Sequence, residues 1–161
     1  MKKEIKTNAM RFLDNMNIKY DHIDYELDHD FISSVSLAKE GDQDIDTIFK
    51  TLATKTKDGD VYILVINGAD EIDFKKAAKV IGVKSLSMLN LKDLKKTVGY
   101  ERGATTPLAL KKDYPVLIDS KALDLDYIKV SAGKVGHSIR IRPEDLKKAT
   151  KAKFADLIQW L

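Results

Sequence analysis

The chain has 161 residues, 43% of them hydrophobic, and no cysteine. It is long enough to build one cored domain and can hold no disulfide, thiolate metal site or cysteine nucleophile. Twenty-eight Lys and Arg against 25 Asp and Glu leave a net charge of +3, far from the balance of a protein that neutralises many phosphates, so any nucleic acid is expected to be gripped locally.

Ile5, Ala9, Phe12, Leu13 and Met16 recur at helical spacing and predict an amphipathic helix over 2–16. A strand is expected over 19–25, then a short helix capped by Ser33 or Ser34 and ended by Gly41, with a further turn near Ile45 and Ile48. The runs 49–56 and 61–66 flank Lys57-Asp58-Gly59-Asp60, the signature of a hairpin, and the second run is apolar throughout, as a central strand is. Asp70 to Ile81 predicts a helix with Ile72, Phe74, Ala77, Ala78 and Ile81 inward, closed by Gly82. A short strand at 85–88, a helix over 91–98 capped by Asn90, and strands at 115–118, 127–130 and 138–141 follow. Pro143 suits the first turn of a helix carrying Leu146, and a second helix is expected over 154–161.

A hairpin followed by strand, helix and strand fits neither a pure βαβ winding nor a pure sandwich. The expectation is a mixed α/β fold, one strongly curved mixed sheet with packed helices, in a single domain over 1–161. No apolar run approaches the ~18 residues of a membrane span, and the charged start Met1-Lys2-Lys3-Glu4 lacks the apolar segment of a secretory signal, which predicts a cytoplasmic protein. The three histidines, His22, His29 and His137, are widely scattered and predict no metal cluster and no cofactor.

Two loops carry the chemical signal. Residues 99–107, Gly-Tyr-Glu-Arg-Gly-Ala-Thr-Thr-Pro, and residues 130–136, Val-Ser-Ala-Gly-Lys-Val-Gly, set glycines and hydroxyls among strand-like runs, so a ligand can approach the backbone closely; the same pattern also closes tight connections. Lys50 opens an otherwise apolar or small strand beside Thr51, where its ammonium either projects into a cavity as a fixed cation or snorkels on an exposed sheet face. Lysines thicken at 75, 76, 79 and 84, at 92, 95 and 96, and at 111–112; they rim a groove or form solvated helix faces. Asp145 reads as an acid at a helix N-terminus, and Tyr25 and Tyr100 as packing aromatics whose hydroxyls can reach a ligand. Ser131 has no recognisable base near it in sequence, and no P-loop, GxSxG elbow or HExxH is present.

The order of these segments, from Lys50-Thr51-Leu52 through Phe74 to Gly82, Thr97-Val98-Gly99-Tyr100, Gly103, Pro107, Lys111-Lys112, Pro115, Ile118-Asp119 and Val130 to Lys134 with Gly136, resembles the YbaK/EbsC family. Its members are free-standing relatives of the editing domain of prolyl-tRNA synthetase, and the likeness runs from about residue 9 to Asp156. The resemblance implies a barrel-like sheet and trans-editing deacylation of a mischarged tRNA, typically Cys-tRNA(Pro), with prolyl-tRNA synthetase as a partner. By position it implies Lys50 as the site lysine that helps hold the 3′-terminal adenosine and phosphate. It likewise makes Gly103, Ser131 and Gly133 walls of the aminoacyl pocket, and Tyr25, Thr51 and Asp145 further positions around it. Gly103-Ala104-Thr105-Thr106-Pro107 departs from the commoner Gly-Gly-Ile-Ser-Pro, and Ala132-Gly133-Lys134-Val135-Gly136 from Gly-Gly-Lys-Arg-Gly. Those changes leave open Ala-tRNA(Pro) or another small aminoacyl ester as substrate, and a module that holds an acceptor end without cleaving it.

Overall fold

The computed structural model describes residues 5–25 and 45–160, so the expected helix between Ser33 and Gly41, and residues 2–4 of the first helix, lie outside the described residues. Strands β1 (Asp21–Asp24), β2 (Phe49–Lys55), β3 (Val61–Asn67), β4 (Ser87–Met88), β5 (Val116–Asp119), β6 (Ile128–Ser131), β7 (His137–Ile141) and β8 (Lys153–Ala155) alternate with helices. These are α1 (Asn8–Asn15), α2 (Phe74–Ile81), α3 (Leu91–Val98) and α4 (Pro143–Thr150), with 3-10 turns at Ile45–Thr47 and Ser120–Asp124. The class is mixed α/β, as the sequence indicates, but the strands divide over two sheets where one was expected. A five-stranded sheet runs β4-β2-β3-β5-β8, a three-stranded sheet runs β1-β7-β6, and the isolated bridge between Ile48 and Lys129 joins them.

β3 is apolar on both faces because each face enters a different core. Ile63 and Val65 pack with Phe49, Ala53, Ile118 and Ile139, whereas Leu64 and Ile66 pack with Leu117, Ile72, Ala77 and Leu157. Such two-sided burial permits a mixed sheet: β2 pairs antiparallel with β3 through the hairpin, while β5 pairs parallel with β3 and β8 with β5. In the three-stranded sheet both pairs are antiparallel, Asp24 opposite His137 and Ser131 opposite Ser138.

Three sequence expectations change. The helix expected from Asp70 starts at Phe74, because Asp73 takes the N-cap position with its carboxylate accepting from Lys76 N at 3.0 Å, and Ile72 before it bridges Ile158. Residues 5–7 are not helical, because Thr7 takes the N-cap position and its hydroxyl accepts from Met10 N at 3.2 Å, starting α1 at Asn8. The tail expected as helix over 154–161 begins as β8, and residues 156–160 form no helix. Leu157 and Ile158 are both buried in the second core, and Ile158 bridges Ile72 on the segment that leads into α2. The tail's backbone is satisfied by partners far away in sequence: Asp73 N donates to Leu157 O at 2.9 Å, Gln159 N to Glu71 O at 3.0 Å, and Leu157 N to the buried Asp119 carboxylate at 2.9 Å. Burying the two side chains is worth about 1.5–3 kcal/mol each as an upper estimate, more than the few tenths that intrinsic helix propensity distinguishes per residue.

Candidate functional site

A cavity of about 590 Å³ opens where the two sheets meet. One wall comes from β2, with Lys50, Thr51 and Ala53; a second from β6 and β7, with Lys129, Ser131, His137 and Ser138; a third from the first glycine loop, with Arg102, Gly103 and Thr105. Met88, Leu91 and Leu94 supply apolar surface at one side, the last two from α3, so the helix carrying Lys92, Lys95 and Lys96 borders the cavity. Lys50, Arg102 and Lys129 line it, and no carboxylate does among the described residues.

Of the residues singled out in the sequence, Lys50, Thr51, Gly103, Ser131 and Tyr25 come together on this cavity. Two of them bring buried polar atoms without partners: neither Tyr25 Oη nor Thr51 Oγ1 makes a hydrogen bond. Burial raises the Tyr25 phenol above its ordinary range; the nearby Ser138 hydroxyl pulls the other way but falls short of hydrogen-bond geometry. An unsatisfied buried hydroxyl costs roughly 1–3 kcal/mol, so both are primed to bond a ligand's polar atoms.

Ser131 is fully engaged. Its hydroxyl donates to Ala104 O at 2.8 Å and accepts from Gly133 N at 3.1 Å, which staples one glycine loop to the other. The wall opposite is fixed as firmly: Tyr25 N donates to Gly136 O at 2.9 Å, and Ala132 N to His137 O at 3.0 Å. Gly103 has φ +85, a conformation that L side chains rarely adopt, with only a Val135 methyl in van der Waals contact with a notional Cβ.

The remaining three lie elsewhere. Tyr100 stands behind the cavity: its hydroxyl donates to Leu108 O at 2.7 Å and Ala109 O at 3.2 Å, and burial pushes its phenol up to about 12. Gly133 is placed against that ring, where a Cβ would sit 2.9 Å from Tyr100 Cε1, so Gly133 and Tyr100 form a packed pair that supports the loops and does not line the cavity. Asp145, in the first turn of α4, borders a different cavity with Tyr20, Arg142 and Lys148. The structure therefore does not bring these three onto the cavity with the other five: the loop packs around Tyr100, and the N-terminal acid of α4 borders the second cavity.

Arg102, Lys129, His137 and Met88 reach the cavity without having been singled out for it. Lys129 is the most legible in hindsight, since a lysine between Ile128 and Val130 in a strand with a buried pattern must either snorkel or face a polar space. The sequence reading of scattered histidines also changes: His22 Nε2 lies 2.9 Å from His137 Nδ1 although the two are 115 residues apart. His29 lies outside the described residues. No helix among the described residues is long and apolar enough to cross a membrane.

Residues 32–149 match the aminoacyl-tRNA editing domain family. Over 156 residues the chain is 37% identical to EbsC of Enterococcus faecalis, named as a candidate Cys-tRNA(Pro)/Cys-tRNA(Cys) deacylase, covering 97% of this chain and 95% of that one. It is 28% identical over 101 residues to a proline–tRNA ligase of Shouchella clausii, covering 62% of this chain and 18% of the ligase. Among solved structures, a candidate trans-editing enzyme for prolyl-tRNA synthetase superposes with a TM-score of 0.80 at 19% identity, over 98% of this chain and 100% of that one.

Proposed function

Since the chain belongs to the aminoacyl-tRNA editing domain family, we propose that it is a trans-editing deacylase that removes cysteine from Cys-tRNA(Pro). The observation that carries this reading is the cavity's division of labour. Lys50 and Arg102 face it without a lining carboxylate among the described residues, while the Ser131 hydroxyl on its wall both donates and accepts a hydrogen bond. A site of that kind holds an anionic acceptor end and supplies no nucleophile of its own from Ser131. Its volume is within the ~300–1,000 Å³ of small-ligand pockets, enough for a terminal nucleotide with a small acyl group.

In this mechanism Lys50 and Arg102 hold the 3′-terminal phosphate and lower the energy of negative charge developing on the ester carbonyl oxygen. Tyr25 and Thr51 offer their unpaired hydroxyls to the ribose or the amino group. The attacking group is the substrate's own thiol: its sulfur bonds to the carbonyl carbon, the ester C–O bond breaks, and the tRNA hydroxyl leaves with the thiol proton, giving a cyclic thiolactone. Holding the thiol against its own carbonyl captures the advantage of an oriented intramolecular reaction, several kcal/mol on the usual scale of ~7–11. Walls fixed by the Ser131 staple and the Tyr25–Gly136 hydrogen bond supply that rigidity.

Selection of the tRNA is assigned to prolyl-tRNA synthetase as partner. A net charge of +3 suits a protein that grips the acceptor end alone, and the sequence likeness to a proline–tRNA ligase fits a module that works beside one.

The test is incubation with Cys-tRNA(Pro), Ala-tRNA(Pro) and Pro-tRNA(Pro), following ester loss and trapping the released acyl group, with Lys50→Ala as control. Selective loss of the cysteinyl ester with thiolactone as first product is expected. Equal loss of the alanyl ester would replace the thiol with water as nucleophile, and no loss from any ester would leave a binding module.

A further inference from the structure

Where the three-stranded sheet borders the cavity it gathers a second group of side chains. His22 and Asp24 stand two residues apart on β1, so both rise from the same face of the strand, and the antiparallel register with β7 sets Asp24 opposite His137. His22 Nε2 is 2.9 Å from His137 Nδ1, that Nδ1 is 3.8 Å from Asp24 Oδ1, and one donor atom from each of the three residues falls within 4.8 Å of the others. The imidazoles stack with centroids 5.1 Å apart, and the His137 side chain is wholly buried.

We propose that His22, Asp24 and His137 bind a divalent transition-metal ion of the zinc class. Two imidazole nitrogens and one carboxylate oxygen form a donor set that suits Zn²⁺, whereas Mg²⁺ and Ca²⁺ take oxygen ligands almost throughout. Bonds of about 2.0–2.2 Å at tetrahedral angles separate neighbouring donors by about 3.3 Å. The observed 2.9 and 3.8 Å straddle that spacing, so binding opens the imidazole pair slightly and draws the carboxylate in. The pleat supports such a site, because cross-strand and same-face neighbours on a paired ladder are held at a few ångströms by the backbone hydrogen bonds and not by long flexible side chains. Arg140, the nearest basic residue in register, pairs with Asp21 and so belongs to the alternate face of the same ladder.

The ion would tie β1 to β7 next to the cavity. Tyr25 follows β1 directly and is hydrogen-bonded through its N–H to Gly136 O, and Tyr25, Gly136 and His137 all line the cavity. Metal occupancy therefore fixes the wall that presents the unpaired Tyr25 hydroxyl, without itself standing in the reaction.

The experiment titrates the purified chain with ZnCl₂ and, separately, MgCl₂ by calorimetry and follows melting in parallel. One Zn²⁺ per chain, a melting temperature that climbs with Zn²⁺ and not with Mg²⁺, and visible ligand-field bands on titration with Co²⁺ are expected. His22→Ala, at a half-buried position, should weaken Zn²⁺ binding at least ~10-fold and abolish the metal-dependent rise in melting temperature. Asp24→Asn should do the same by a different chemical route, replacing a carboxylate with a poor amide ligand. Absence of Zn²⁺ binding, or binding undiminished in both variants, overturns the proposal. None of these readouts involves tRNA, so the result stands apart from the deacylase reading.

Discussion

Two charged cavities among the described residues differ in kind, and the larger of the two is the less informative. The second cavity, about 1150 Å³ beside α1 and the outer face of β1, holds acids and bases that answer one another. Lys6 Nζ is 3.0 Å from Asp14 Oδ2, Tyr20 Oη donates to Asp14 Oδ1 at 3.0 Å, and Arg140 lies 3.6 Å from Asp21 and 4.3 Å above the Tyr127 ring. The hydrogen bond from Lys6 holds the Asp14 carboxyl below its ordinary range. In the smaller cavity, by contrast, Lys50 and Arg102 meet no lining carboxylate among the described residues, and two buried hydroxyls are left unpaired. Matched exposed charges are surface structure and contribute little; cations without a lining acid and hydroxyls without partners are what an anionic, polar ligand completes.

The largest expected effect tests that contrast at its centre. Lys50→Ala should lower the deacylation rate by about 10²–10³, the usual loss when one electrostatic contact to a developing oxyanion is removed, while the melting temperature holds. Lys6→Ala, on the matched side, should leave deacylation unchanged in the same assay. Equal losses in both would erase the distinction between the cavities.

Gly133→Ala comes next, because it acts on the site through its support. The residue has φ +92 and its new Cβ would meet Tyr100 Cε1 at 2.9 Å, so about 1–3 kcal/mol of stability should be lost, read as a lower midpoint in denaturant. Deacylation should fall with it, since the loop must move away from Tyr100 and carry the Ser131 staple along. Ser131→Ala follows: it strips Ala104 O of a donor and Gly133 N of an acceptor, at a cost of about 1–3 kcal/mol, and activity should drop but persist. A Ser131→Ala enzyme as inactive as Lys50→Ala, with an intact fold, would mean that the hydroxyl attacks the ester itself.

What could be read in the sequence divides along the same line as these effects. The hairpin of β2 and β3, α2 closed by Gly82, and α4 opened by Pro143 rest on local period and end signals, and they stand close to where those signals put them. The tail failed because Leu157 and Ile158 satisfy a helical and an extended pattern alike, and only the distant partners Asp73, Asp119 and Glu71 decide between them. Lys50, Gly103 and Ser131 were legible as a collinear set, yet which neighbours face the same space depends on the bridge between Ile48 and Lys129, a contact no local pattern encodes. Tyr100 and Gly133 sat within the right loops, but a glycine that makes room for a tyrosine looks in sequence like a glycine that makes room for a substrate. The pairing of His22 with His137 was hidden by the 115 residues between them, which strand register removes.

Thr51→Val sharpens the contrast at smaller scale. In a protein where the hydroxyl served the fold, its loss would destabilise; here Thr51 Oγ1 has no partner, and the isosteric valine should keep or slightly raise the melting temperature. The ester's KM should instead rise by roughly 2- to 10-fold, the worth of one hydrogen bond. A lower melting temperature with an unchanged KM would show that the hydroxyl serves the fold and not the ligand.

Asp145→Asn should do least, and its value lies in that. Its carboxylate sits in the first turn of α4, where the helix's positive end favours an acid, so the amide should cost about 0.3–1 kcal/mol of stability at low salt and less as salt is added. Deacylation should stay within about twofold, since that margin is under ~0.5 kcal/mol of barrier and no contact of Asp145 with the smaller cavity is present to remove. A collapse of activity with the fold intact would require the acceptor end to reach across the β1–β7 ladder into the second cavity. The two cavities would then be one extended site, with the matched charges of the larger one rearranging when the substrate's phosphates arrive.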